Sequence, residues 1–424
     1  MCAQTRCCSN QLIVMRWCMH LPSRAATVAL YIAAIVGPCS AQEWTETSII
    51  QKFLDQNPMA REARARVAIA QAEARGRILY ANPSFNYTRE GAGLTEFFQA
   101  EQAIPINGRL KLLRQAGDSA LRATEAEGAF DIWQARASLR LAFYEVLAAQ
   151  ERQAVYATGL KEIEDVIRVL RDREREGEGS KFDRLRTERE RAELLAELGL
   201  VQAETELVRS RMLAFLPADI QIASVSGAIE TPLGALPAAE MVRRALGARE
   251  DYRAEQRRLE QFRLEERAAD RLKIPEPVLN AGFKRADIGQ NRIANGGVVS
   301  ITIPLPLFNK GQAEVARYSA EQERISARLQ ILTQRIRAAV EGTVRALNVR
   351  VQARDRYRQE LADSGPELIK IATVAYQEGE IGILQLLDAY RSQRQAQLRM
   401  LDIQAAVKEA QIELERVVGE ELGK

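Results

Sequence analysis

The feature that most constrains the fold is an internal repeat of about 200 residues. Gly108 and Gly311 each precede a long segment rich in Ala, Arg, Glu and Leu with helical periodicity. Each segment later meets a Gly-x-x-[Ser/Gly] break, at 177–180 and at 379–382. One arrangement of elements is therefore used twice along the chain.

The first 41 residues differ from the rest of the chain. Arg16 and Arg24 precede an apolar run, 25–36, that is too short to span a bilayer as a helix, and small residues follow at 39–41. We expect a cleaved secretory signal over 1–41, with Met15 or Met19 as alternative starts. An anchoring helix, or a lipid on Cys39, is the alternative. The segment holds every Cys and the single His: Cys2, Cys7, Cys8, Cys18, Cys39 and His20.

Removing this segment changes the chemistry available to the chain. It takes away three Arg and no acid, so the 57 Asp and Glu are balanced by Lys and Arg. Loss of every Cys and His excludes disulfides, thiolate nucleophiles, imidazole bases and most zinc, iron and copper sites. No P-loop, GxGxxG or GxSxG motif is present. We therefore predict no enzyme activity, no cofactor and no nucleic-acid partner, since a basic excess is lacking.

Two short hairpins are predicted by alternation of polar and apolar residues. The first comprises strands at 84–89 and 94–104 around a turn at 90–93, and the second comprises strands at 278–285 and 297–303 around a polar loop. Each hairpin has two unlike faces. The apolar face carries Phe85, Tyr87, Phe98, Phe283 and Ile301, and the polar face carries Asn86, Gln99, Glu101, Asn280, Lys284, Ser300 and Thr302.

The remainder is predicted to be mainly helical. A helix over 44–81, interrupted at Asn57-Pro58, precedes the first hairpin, and a helix over 238–272 precedes the second. The segment from 107 to 176 would reach about 100 Å at 1.5 Å per residue, which favours an extended bundle. The segment after 309 carries a kink or restart at 365–366. We divide the chain into repeats at 42–217 and 238–424 with a linker at 218–237.

Four strands cannot close a barrel, and open sheet edges in lipid leave backbone groups unpaired. If the hairpins cross a membrane, copies of the chain must associate. Three copies would supply twelve strands, an even number of workable diameter. The alternative is two ordinary hairpins packed on helices in a soluble protein.

The element order and its junctions resemble the TolC family of outer-membrane efflux channels, over essentially the whole chain after residue 41. The motifs are Gln102-x-Ile-Pro105-Ile-Asn-Gly108, Pro304-Leu-Pro306-Leu-Phe-Asn-Lys-Gly311 and Tyr376-x-x-Gly379-x-x-Gly382. The junctions are more similar to the heavy-metal, or cation efflux, branch. The resemblance implies a homotrimer with a twelve-stranded β-barrel in the bacterial outer membrane, continuous with a periplasmic α-helical barrel. It also implies a passive exit duct that serves a periplasmic adaptor (membrane fusion) protein and an inner-membrane pump of the RND or another type.

The same resemblance assigns residues to the tip of the helices. It implies an adaptor-docking surface at Gly177, Ser180, Gly379 and Gly382, and an entrance gate involving Asp183, Tyr376 and Asp388. The first break has Glu174 where the family has an aromatic residue, and the second lacks the family's Ser. Ile381 stands where relatives carry an Arg that ties the gate. Three copies of Asp388 would form a cation-favouring ring, whereas a single solvated carboxylate is the alternative.

A different class of protein remains open from the sequence, namely a secreted or periplasmic coiled-coil tether or adaptor. It would share the signal and the long helices. It would leave the repeated amphipathic hairpins unexplained, and the β-domain that an adaptor needs is not visible.

Overall fold

The computed structural model describes residues 44–91, 94–230, 234, 236–290, 292–361 and 364–422. The expected signal at 1–41, with Cys39, and part of the turn at 90–93 lie outside the described residues. The first half contains helices α1 (Glu46–Gln56) and α2 (Pro58–Gly76), strands β1 (Ser84–Glu90) and β2 (Thr95–Ala103), and helices α3 (Arg109–Glu176) and α4 (Lys181–Leu213).

The second half repeats this order. It contains α5 (Ala238–Ala248), α6 (Glu250–Asp270), a 3-10 turn (Arg271–Lys273), β3 (Val278–Asp287), β4 (Ile293–Thr302), α7 (Gln312–Leu361), α8 (Ser364–Gln377) and α9 (Ile383–Val418). The restart expected at 365–366 is present, because α8 begins at Ser364. Among the residues that the structure describes, no helix is both long and apolar enough to cross a membrane.

The helix expected over 238–272 is wrong in one respect, because it is divided at Arg249. This residue has extended backbone, with φ −67° and ψ 121°, and Gly247 stands two residues before it in the last turn of α5. Its guanidinium pairs with Asp251 at 2.7 Å, donates to the carbonyl of Val417 at 2.9 Å and lies over the ring of Phe130. These tertiary contacts hold Arg249 in its extended conformation at the division between α5 and α6. The equivalent division in the first half follows from the Asn57-Pro58 pair, whose Asn side chain caps α2.

The two hairpins join into one four-stranded antiparallel sheet in the order β1-β2-β3-β4. The β2–β3 register pairs Phe98 with Phe283 and Ala100 with Ala281. The loop expected at 286–296 is shorter than predicted, since β3 runs to Asp287 and β4 begins at Ile293. Backbone ladder bonds do not require apolar side chains, so pairing continues beyond the alternating pattern.

The register places the two predicted sets of side chains on opposite faces. Phe85, Tyr87, Phe98 and Phe283 share the apolar face, with ring centroids 5.0 Å apart for Tyr87–Phe98 and 4.8 Å apart for Phe98–Phe283. Glu101, Asn280 and Ser300 lie side by side on the polar face. The apolar face is exposed in a single copy of the chain, including Phe85 and Val299.

The segment expected as a linker is partly core. Ile222, Val225 and Ile229 are buried against α3, and Val225 forms a parallel bridge with Trp44. Nearby, the buried Arg140 of α3 pairs with Glu46 of α1 and with Glu415 of α9. The ends of the described chain and its middle therefore pack together around α3.

Candidate functional site

The helix reversals have the same backbone geometry in both repeats. Gly177 ends α3 with φ 82°, and Gly379 follows α8 with φ 77°. In each case the next amide closes the turn, with Glu178 donating to the Arg173 carbonyl at 2.9 Å and Glu380 to the Ala375 carbonyl at 2.8 Å. This is the hydrogen-bond pattern of a Schellman cap, which favours glycine at the left-handed position. Ser180 and Gly382 instead begin the next helices with extended backbone.

The structure brings the two reversals together at one end of the helical region. Ile167 and Leu170 of α3, Leu194 of α4 and Leu386 and Leu387 of α9 form one buried cluster. Tyr376 packs against that cluster as a partly buried residue. Residues separated by about 200 positions therefore form one tip.

At this tip an arginine that the motifs did not indicate contacts the predicted gate residue. The guanidinium carbon of Arg173 lies 5.5 Å from the centroid of the Tyr376 ring. Burial raises the pKa of the Tyr376 hydroxyl, and the Asp183 carboxylate raises it further, while Arg173 opposes the shift. Arg173, Tyr376 and Asp183 thus form one electrostatic group. Ile381 packs against the apolar cluster. The positive charge beside Tyr376 is therefore that of Arg173, in the last turn of α3.

The two reversals differ three residues before the glycine. The first has Glu174 there and is closed by ion pairs, whereas the second has the aromatic Tyr376. Glu174 accepts from Arg184 at 2.5 Å, Arg184 also reaches Glu188 at 2.9 Å, and Arg171 pairs with Glu188 at 2.8 Å. The two reversals thus have the same backbone but different side-chain chemistry. The spacing of opposite charges across 171–188 was the available signal for this difference.

Asp388 lies apart from the Tyr376 group. Its side chain is exposed on α9, and its charge acts on Arg391 one turn away. Arg391 itself donates to Glu190 of α4 at 2.9 Å through Nε, and Arg394 lies 3.4 Å from the same carboxylate. Glu190 is buried. Burial alone would raise its pKa, but the bonds from Arg391 and the charge of Arg394 outweigh that effect and lower the pKa.

The strand–helix junctions also show a shared device. Asn107 accepts from the amide of Arg109 at 3.0 Å, and Asn309 accepts from the amide of Gly311 at 3.0 Å. Gly108 and Gly311 have φ of 72° and 80°. Pro105, Pro304 and Pro306 occupy the segments between the strands and these turns. Each long helix thus starts from an Asn-capped turn with a left-handed glycine.

Comparison with known proteins gives a consistent picture. Residues 241–420 match the family of outer membrane efflux proteins. The chain is 26% identical, over 67% of its length and 67% of the relative, to the cobalt-zinc-cadmium resistance protein CzcC of Cupriavidus metallidurans. Two crystal structures have a similar fold. One is CusC, with a TM-score of 0.67 and 17% identity over 88% of this chain and 92% of that chain. The other is the outer membrane protein VceC from Vibrio cholerae, with a TM-score of 0.64 and 19% identity over 89% of this chain and 96% of that chain.

Proposed function

We propose that the chain is an outer membrane efflux protein, in keeping with the family match over 241–420, and that three copies form one continuous exit duct. Each copy contributes four strands to a twelve-stranded barrel in the outer membrane. The long helices form an α-helical barrel that extends into the periplasm. The duct is passive, and an inner-membrane transporter supplies the energy and selects the cargo.

One observation carries this proposal, namely the open four-stranded sheet with its exposed apolar face. β1 and β4 are its edge strands, and each pairs on one side only. In lipid, unpaired strand edges leave polar backbone groups without partners, at a cost of several kcal/mol each. Pairing β1 of one copy with β4 of the next removes every edge once the ring closes. The exposed Phe85, Phe283 and Val299 would then face lipid.

The helical region offers a matching contact between copies. α4 packs mainly on α3, and its remaining surface exposes apolar side chains that include Leu200 and Leu207. α7 and α8 expose others, including Val349 and Ile371. These two surfaces lie on different helices, so a head-to-tail contact between them would generate a ring. Closure of the helices and closure of the sheet would then follow the same symmetry.

We assign the tip formed by the two reversals to the entrance and to adaptor docking. Gly177, Ser180, Gly379 and Gly382 form the docking surface for a periplasmic adaptor protein. The Arg173–Tyr376–Asp183 group holds the entrance closed. Because ion pairs close the first reversal and an aromatic residue packs at the second, the adaptor meets two chemically different grooves around the ring.

The cargo that we propose is a heavy-metal cation, in keeping with the name of the CzcC relative. Asp388 is exposed on α9, and three symmetry-related copies would place three carboxylates around the pore. Such rings favour cations over anions. Replacing Asp388 with Asn would therefore lower cation selectivity in the reconstituted channel.

The test is fractionation of cells expressing the full chain, followed by gel electrophoresis of the outer membrane with and without boiling. We expect a heat-labile band at about three times the monomer mass, and stepwise conductance when that species is added to a planar bilayer. A monomeric periplasmic protein without conductance would overturn the proposal and support a coiled-coil tether.

A further inference from the structure

Exposed apolar side chains continue beyond the strand ends toward the helices. We define the junction segments as residues 104–106 and 303–308. Their exposed residues include Leu305, 71% exposed, and Phe308, 92% exposed. Other exposed apolar residues of these segments are Ile104, Ile106, Ile303 and Leu307, and Leu79 and Tyr80 are exposed shortly before β1. This surface is continuous with the apolar face of the sheet, because β4 leads directly into 303–308.

The apolar face of the sheet is too short to match a membrane by itself. Its outer end is a charged row in which Glu96 and Arg285 are paired, and the strand-end row toward the helices contains Leu279 and Ile301. Six residues separate these rows, which is about 20 Å along a strand, or about 15 Å after a tilt of about 40°. An outer-membrane barrel needs an apolar band of about 25 Å.

The backbone of the longer junction segment is suited to low polarity. Pro304 and Pro306 have no N–H group, and the amide of Leu307 donates to the Leu305 carbonyl at 2.9 Å. In the other junction segment, Pro105 has no N–H group and Ile104 donates to the carbonyl of Pro277 at 2.9 Å. Five of the nine backbone positions in the two junction segments thus lack a free amide donor, which lowers the cost of a low-polarity environment.

Positive charges frame the extended apolar surface at both ends. Arg89 and Arg285 share the charged row near the loops. Arg109 and Lys310 follow the two junction segments on the helical side. Basic side chains at such positions place their charges among phosphates while their alkyl stems lie along apolar surface.

From these observations we propose that the exposed apolar side chains of the junction segments lie in the hydrocarbon of the leaflet nearer the helices, as a continuation of the lipid-facing surface of the sheet. The bilayer boundary on that side is set by Arg109 and Lys310 rather than by the strand ends. The occupant of the exposed apolar surface around Phe308 is therefore lipid. This inference rests on the proposed function, because it requires that the strands span the outer membrane.

The test uses single cysteines in the full chain after Cys2, Cys7, Cys8, Cys18 and Cys39 are replaced with Ser. The variants Phe308→Cys, Val299→Cys and Glu164→Cys carry an environment-sensitive fluorophore in proteoliposomes. Val299 is the reference within the apolar face, and Glu164 is an exposed reference on α3, far from the sheet. Quenching is measured with nitroxide groups on lipid acyl chains and with aqueous iodide.

We expect the lipid quencher to reduce emission at 308 as strongly as at 299, and iodide to act only at 164. Quenching at 308 by iodide, with 299 quenched by lipid, would overturn the inference and leave the proposed channel intact. Protection at 308 from both quenchers would also overturn it, because a second copy would then cover Phe308. Absence of lipid quenching at both 299 and 308 would overturn the membrane assignment of the strands as well.

Discussion

Single residues fix the turns of this chain through backbone conformation. Gly108, Gly177, Gly311 and Gly379 all adopt positive φ, a region that costs residues with a Cβ about 1–2 kcal/mol. The surroundings of these glycines differ, however. A Cβ on Gly311 would lie 2.6 Å from the Ala269 carbonyl oxygen and 3.0 Å from Leu272, whereas a Cβ on Gly108 would meet nothing within 4 Å.

This difference predicts unequal effects of the same substitution. We expect Gly108→Ala to lower the free energy of unfolding by about 1 kcal/mol through its backbone conformation alone. Gly311→Ala should lower it by about 1–3 kcal/mol more, because Ala269 and Leu272 must move. Urea unfolding of the purified protein, followed by circular dichroism, measures both. Equal losses would show that the contact with Ala269 is relieved without cost.

The contact of Arg173 with Tyr376 predicts an effect on the entrance. Arg173→Gln removes a cation–π interaction of about 1 kcal/mol per copy and should raise the open probability in planar bilayers. The control is Arg175→Gln, two residues away, because Arg175 is exposed and pairs only loosely, at 3.4 Å, with Asp172. Equal open probability of both variants would argue against a gating role for Arg173.

The ion pairs of the buried Glu190 with Arg391 and Arg394 are expected to make the stability of the protein depend on pH. The pKa of Glu190 is lowered in the folded protein, so its stabilising effect is present above the unfolded value of about 4.3 and disappears as the pH falls through the lower folded value. We expect Glu190→Gln to cost about 1–3 kcal/mol at pH 7, allowing for the partial exposure of Arg391. In urea unfolding, the difference from the unchanged protein should shrink as the pH is lowered below the unfolded pKa of about 4.3.

The exposed Glu193 provides the control for this substitution, since it lies 4.0 Å from Arg391 and is 63% exposed. Glu193→Gln should leave the urea midpoint almost unchanged at pH 7 and below about pH 4.3. A constant difference between the Glu190→Gln variant and the unchanged protein across the pH range would contradict the assigned charge effect.

At the scale of elements, the sheet is organised by its period of two. A residue and its neighbour along a strand point to opposite faces. Ser300 therefore lies beside Asn280 on the polar face, whereas Ile301 lies beside Leu279 on the apolar face. Adjacent positions in β4 thus provide an internal comparison of the two environments.

We expect Ile301→Arg to impair insertion, because an arginine facing lipid costs about 2–4 kcal/mol near the bilayer centre. Ser300→Arg should be tolerated, since its side chain would face the aqueous pore. The measurement is the amount of each variant in the outer-membrane fraction. Equal amounts would contradict the assignment of the two faces.

At the scale of the whole molecule, the surfaces left exposed in one copy indicate how copies meet. Leu200 and Leu207 lie seven residues apart on one face of α4 and are 67% and 69% exposed. Large exposed apolar side chains in such a row are typical of an interface. We place them in the contact with α7 and α8 of the next copy.

This placement predicts that Leu200→Lys combined with Leu207→Lys reduces the heat-labile trimer, because two charges would be buried without partners. Gln202→Lys changes another face of α4 and serves as the control. The trimer fraction is read from unheated gels. An undiminished trimer in the double variant would exclude this face of α4 from the contact.

Much of the fold was predictable because its signals are local. Helical periodicity, the Asn57-Pro58 pair and the repeated glycine breaks indicated the long helices and their ends, and alternation indicated both faces of the hairpins. The family resemblance came from the order of these elements and from the junction motifs. The helix, turn and strand signals depend on neighbours within a few residues of one another.

The tertiary structure decided what depends on distant partners. The break at Arg249 is accompanied by contacts with Phe130 and Val417. Part of the expected linker is core, because Val225 meets Trp44 and Ile222 and Ile229 are buried. The sequence determined that Tyr376 stands before a glycine reversal. Only packing brought Arg173 over its ring, because α3 and α8 are about 200 positions apart along the chain and meet through the shared apolar cluster.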